Sequence, residues 1–144
     1  MLGMLISILS GALMSIQGVF NTAVTKQSGI WMASGFVQFT ALLVCVVAWF
    51  LTGREGTVAS LFTVDKKYML LGGAMGAFIT YTVIKGVELL RPAKAIMFIV
   101  VSQLIVAYLI ELFGLFGSEK ASFDFSKLIG MGLMIGGVIL FKWK

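Results

Sequence analysis

Five polar side chains stand inside long apolar runs of this chain: Gln17, Asn21, Gln38, Gln103 and Glu111. Gln17 and Asn21 are four residues apart, so on a helix they share one face. Counted at 1.5 Å per residue from one membrane face, Gln17, Gln38 and Gln103 all lie roughly 10–15 Å deep. Carboxamides at one depth could line a polar cavity, or could be hydrogen-bonding glue between helices worth about 1 kcal/mol each. Both readings stand for Gln17 and Gln103, while glue is favoured for Gln38. Glu88 has Lys85 as an i,i+3 partner, which leaves Glu111 as the one other acid within a span. A carboxyl kept inside a membrane is a candidate to bind a proton or a cationic substrate. Glu111 falls in the last turn of its helix, where the negative end of the dipole opposes it and where water at the membrane face would hydrate it. Tyr81 and Tyr108 lie deep enough to help cage an organic cation. Trp31, Trp49 and Tyr68 stand at the ends of runs and read as an interfacial belt.

The elements that carry these residues follow from composition. Of 144 residues, 60% are hydrophobic and 12% charged, against roughly 25% charged in a soluble domain. That charge cannot wet the surface of a globule this size, which excludes a secreted domain, a cytosolic enzyme and a disordered tail. The fold class expected is all-α integral membrane, as one transmembrane domain over residues 1–144. Five spans are read at about 3–24, 30–52, 68–88, 93–113 and 126–141, since each needs about 20 apolar residues. Thr25 to Gly29 is a polar stop, and so is Gly53 to Gly56. In the longest loop, Val58 to Phe62 reads as an interfacial segment. Pro92 suits a helix start, where its missing N–H costs little. The fifth span has an uncharged core of only Leu128 to Phe141, roughly 21 Å long. It needs snorkelling by Lys127 and Lys142 or a thinned bilayer. Lys142, Trp143 and Lys144 would anchor its end. The N-terminus has no basic leader and an apolar run too long for a signal core, so it reads as a retained first span.

Small residues recur where helices would touch. Gly11 and Gly18 belong to a stripe on span one, Gly73 and Gly76 lie on span three, and Gly132 and Gly136 form a GxxxG on span five. Close helix packing, with room for a dimer seam, is the reading for all six.

Other chemistry is thinly represented. There is no histidine, and Cys45 is the single cysteine. An intrachain disulfide and a Cys/His metal site are therefore excluded. The sequence holds no phosphate-binding glycine loop and no nucleophile elbow, and Ser102 has no histidine to activate it. Neither an enzyme nor a cofactor is indicated. The net charge of +5 comes from bases between apolar runs, which points to membrane orientation rather than to nucleic acid. With five spans the termini lie on opposite sides. The N-terminal side carries Arg54, Lys66, Lys67, Lys120 and Lys127; the other carries Lys26, Lys85, Arg91, Lys94, Lys142 and Lys144. Five bases against six give almost no bias, so insertion in both orientations is expected.

Three stretches carry a family resemblance. They are Gln17-Gly18-Val19-Phe20-Asn21, the turn from Glu88 through Arg91-Pro92-Ala93 to Ala95, and Ser102-Gln103 followed by Glu111-Leu112-Phe113-Gly114-Leu115-Phe116-Gly117. With the five-span layout they resemble the YdcZ-type five-helix family of the drug/metabolite transporter superfamily. The resemblance implies half of a ten-helix inverted-repeat transporter in the cell (inner or plasma) membrane. Its small members occur as antiparallel homodimers, as pairs with an oppositely oriented paralogue, or fused. By motif match the functional candidates are Gln17, Asn21, Gln103 and Glu111, with Glu111 where the family commonly has Asp. Small multidrug-resistance proteins place a carboxylate in their first span; this chain has none there, so that mechanism does not transfer.

The expectation is an exporter of a small organic solute, proton-coupled, working as an antiparallel dimer by alternating access. Glu111 would take the proton or cation, with Gln17, Asn21, Gln103, Tyr81 and Tyr108 around the substrate. The competing expectation is a non-transporting subunit that scaffolds an oppositely oriented partner. Dual insertion predicts that, with Cys45 replaced and one cysteine added after Lys144, an impermeant thiol reagent labels about half of the molecules in intact cells. Labelling of all or none would overturn it.

Overall fold

In lipid, backbone N–H and C=O groups have no water to bond, so a spanning segment must satisfy them internally as a helix. The computed structural model describes residues 1–54 and 56–142, without the Lys142 side chain. Glu55 and the Lys142-Trp143-Lys144 anchor contacts expected above fall outside the described residues. Among the described residues every regular element is helical: α1 (Leu2–Ser28), α2 (Ile30–Leu51), α3 (Val58–Phe62), α4 (Gly72–Leu90), α5 (Pro92–Phe113) and α6 (Phe125–Lys142). Short 3-10 turns at Lys67–Leu71 and Leu115–Gly117 precede α4 and follow α5. Among the described residues, four stretches are long and apolar enough to cross a membrane: Leu2–Ser28, Ile30–Leu51, Lys67–Leu90 and Pro92–Phe113. The apolar part of α6, Phe125–Phe141, is shorter.

Helix ends differ from the expected span ends for a physical reason. Of the polar stop expected at Thr25 to Gly29, all but the last residue is helical, since α1 continues to Ser28. A helix needs apolar residues only while it is in lipid, and here Gly29 ends it, at φ 81°. That left-handed φ is open to glycine without a Cβ penalty. Gly29 is the whole connection between α1 and α2. The Val58–Phe62 segment is a single helical turn, capped by Thr57, whose side-chain oxygen accepts from the Ser60 N–H.

The chain forms two compact units, Met1–Leu89 and Leu90–Lys144. In the first, α1 packs on α2 around buried Asn21, Thr22, Ala33 and Ser34. At Gly18 the neighbour is α4, with Val83 Cγ1 only 3.3 Å from where a Cβ would stand. Gln38 of α2 donates to Thr80 Oγ1 of α4 at 3.4 Å, with Gly76 leaving room for the amide. This is the interhelical bond its sequence position suggested. Trp31 of α2 stacks on Tyr81 of α4, with ring centroids 4.9 Å apart. Gly11, Gly73, Gly132 and Gly136 face open space within the single chain. The second unit is α5 and α6 packed together through the loop that joins them.

Junction geometry carries strain at one residue. Arg91, before Pro92, sits at φ 67° and ψ 158°. The extended ψ is what a following proline demands, but the positive φ is a region used almost only by glycine. The α1–α4 approach makes its own prediction. Gly18→Leu should lower the stability of the solubilised protein by about 1–3 kcal/mol through overpacking, while Gly3→Leu, in open space, should not. Equal thermal shifts for the two would show that the approach is not made at Gly18.

Candidate functional site

The loop between α5 and α6 returns onto the helix it leaves. Gly114 stops α5 in the left-handed conformation, φ 63° and ψ 37°, and its N–H returns to the carbonyls of Ile110 and Glu111. The Ala121 N–H then donates to the same Glu111 carbonyl at 2.9 Å, and the Ser118 hydroxyl reaches the Ile110 carbonyl. Orphan carbonyls at a helix end need such partners. Asp124 completes the return. Its backbone N–H donates to the Tyr108 hydroxyl oxygen at 3.2 Å, and its carboxylate accepts the Ser126 N–H at 2.8 Å. The second contact caps α6, and the first fixes where along α5 that helix begins.

That register puts Lys127 opposite Glu111. Lys127 Nζ is 3.4 Å from Glu111 Oε2, and it stands 5.5 Å from the centre of the Tyr108 ring. Both charges are on the wrong end of their own helix. Glu111 is in the last turn of α5 and Lys127 in the first turn of α6, each against its dipole. Each is therefore held by the other and not by its own helix. Together they border a pocket of about 410 Å³, whose remaining lining is Leu104, Ala107, Tyr108, Gly130, Met131 and Met134. The residues from α5 follow a spacing of 3, 4 and 7 along one face. The volume falls within the range of small-molecule sites, roughly 300–1,000 Å³. About half of each charged side chain is exposed, 46% for Lys127 and 51% for Glu111, so both can meet an occupant.

The residues proposed from sequence are distributed as follows. Glu111 and Tyr108 meet at this pocket. Tyr108 is buried, its hydroxyl holding the loop and its ring lining the wall. Gln103 is exposed on α5, eight residues before Glu111, about 12 Å along the axis, and is not among the lining residues. In the first unit, Gln17 and Asn21 share one groove along α1 with Ser10, Leu13, Met14, Ile16 and Phe20. Tyr81 has one ring face against Trp31. The expected Lys85–Glu88 pair forms at 2.9 Å. The sequence marks Lys127 as a snorkelling anchor and as one of the N-terminal-side bases, but not as the partner of Glu111. The available signal was depth, since both residues were placed at the N-terminal-side face.

The long apolar helices agree with a comparison against known families. A family model described as "Putative inner membrane exporter, YdcZ" matches residues 2–140. The chain belongs to the YdcZ family. It is thus a multi-pass inner-membrane protein, of a family of exporters rather than of enzymes. No curated protein and no solved structure matches this YdcZ-family chain.

The lock at Tyr108 is open to a direct test. Tyr108→Phe removes the acceptor of the Asp124 N–H, at a cost of about 1 kcal/mol. Hydrogen exchange at Asp124 and the first turn of α6 should quicken several-fold. Unchanged exchange there would mean that the loop is held by its other contacts alone.

Proposed function

We propose that this chain exports a small organic solute across the inner membrane, coupled to protons, with α6 as a fifth span. Two oppositely inserted copies would form the working unit of ten helices and alternate in access about an in-plane pseudo-two-fold axis. The observation that carries the reading is Glu111, a membrane-helix carboxylate bordering a pocket of small-molecule size in a chain of the exporter family. An intramembrane carboxylate is the usual bearer of a coupling proton. Protonation of Glu111 would release its hold on Lys127, so proton binding and the state of the pocket are tied to the same atoms.

Further support comes from polar groups that the single chain leaves turned outward. Gln17 is exposed beside Asn21 on the α1 groove, and Gln103 is exposed on α5. Carboxamides facing lipid are costly, and a second copy would cover them. If that copy is inverted, its Glu111 and the glutamines of the first share a leaflet, and one cavity can draw on both. Tyr81, stacked on Trp31, would offer its other face to a solute. The balanced basic residues on the two sides permit both insertions.

The test is Glu111→Gln, in proteoliposomes carrying an imposed proton gradient. The variant should lose coupled efflux while its cross-linked dimer yield stays at the level of the unmodified chain. Full coupled efflux at equal incorporation would remove Glu111 from the mechanism.

A further inference from the structure

The pocket beside α5 and α6 has a charge pattern that selects its occupant. One carboxylate and one ammonium border it, and every other lining side chain except the Tyr108 phenol is apolar or absent. Its formal charge is therefore zero. A simple cation bound to Glu111 would leave the Lys127 ammonium unpaired, and a simple anion bound to Lys127 would strand Glu111. Either way one charge loses its partner beside a mostly apolar lining, and an unpartnered charge against apolar surroundings is unfavourable. An occupant that carries both charges meets both demands at once.

We infer that this pocket binds a zwitterion with an apolar body, its ammonium on Glu111 and its anionic group on Lys127. The inference rests on the reading of the Glu111 pocket as the solute site. The pair is open to exchange, with about half of each side chain exposed. Its 3.4 Å separation is longer than the roughly 2.7–2.9 Å of a strong charge-assisted bond. Two shorter bonds to a zwitterion can replace one long internal contact. Space for the head is left by Gly130, where a Cβ would meet nothing within 4 Å. Met131, Met134 and Leu104 supply a floor that adapts to different apolar bodies, as the flexible thioether of Met does. Neither charge is placed for the stability of its own helix, since both oppose the dipoles. A pair arranged for folding alone would have the two exchanged. The same ammonium-and-anion chemistry occurs in a free amino-acid-like solute and in a phosphoethanolamine lipid headgroup.

Binding to the full chain in phosphatidylglycerol nanodiscs, read by calorimetry, decides the matter. The probes are the zwitterions L-leucine, L-methionine and L-phenylalanine, the cation 3-methylbutylamine and the anion 4-methylpentanoate. At least one zwitterion should bind about tenfold or more tighter than the two single-charge probes, and Glu111→Gln and Lys127→Met should each weaken it by about ten- to a hundredfold. The double variant Glu111→Lys with Lys127→Glu aligns both charges with their dipoles, so it should fold at least as well. It should recover zwitterion binding, because a zwitterion can turn round, which a role in folding alone does not predict. No zwitterion binding, or equal binding of a zwitterion and 3-methylbutylamine, overturns the inference. With phosphatidylethanolamine added to the discs, loss of the signal assigns the site to a lipid headgroup and its retention assigns it to a free solute. Zwitterion binding without efflux from proteoliposomes would keep the site and sink the export reading. Proton-coupled efflux of 3-methylbutylamine matching that of the zwitterions would keep export and sink this inference.

Discussion

A single residue, Asp124, sets the height at which the charges of Glu111 and Lys127 meet. Its backbone N–H is tied to Tyr108 on α5, and its carboxylate begins α6. With both ends of that link fixed, Lys127 has one place to stand, opposite Glu111. A slip of one residue along α6 would turn its side chain by about 100° and open the pair. The loop needs the glycine stop at Gly114 and the buried Tyr108 of α5 to make this register. Much of the second unit's polar bonding is spent on it.

The first unit uses a different economy. Its helices are joined by the Gln38–Thr80 hydrogen bond and by the Trp31–Tyr81 ring stack. Its helices approach where side chains are small or missing, at Gly18, Ala33, Ser34 and Gly76. This is how helices associate when lipid removes the hydrophobic drive between them. Most large apolar side chains of α1 and α2 face outward, as a lipid-facing surface requires. In this unit an exposed glutamine is a stronger anomaly than an exposed leucine.

Much of this was legible in the sequence, and the exceptions have physical causes. The four long helices came from the length of apolar runs, which a bilayer fixes within narrow limits. Pro92 at a helix start and the Lys85–Glu88 pair follow local rules and could be read directly. The helical course of Thr25 to Ser28 could not, because polarity reports where lipid ends and not where the helix does. Glu111 stood out as an acid in an apolar helix. Its partner did not, since Lys127 lies sixteen residues away and depends on a returning loop held by Tyr108, a contact with no periodic signature. The hold of Tyr108 on the loop has no periodic signature either. Its hydroxyl is occupied by the chain and only its ring is left for the pocket.

The connection between α1 and α2 bears on how the protein is made. One glycine joins a helix of 27 residues to one of 22, so neither can be threaded far into a bilayer without drawing in the other. The insertion machinery meets them as a single hairpin. Within the hairpin the one charged side chain is Lys26, in the last turn of α1. A lone lysine is a weak instruction to a ribosome-bound channel, and one substitution could strengthen, cancel or invert it. With so little charge in the hairpin, the bases beyond it carry most of the bias that orients the chain.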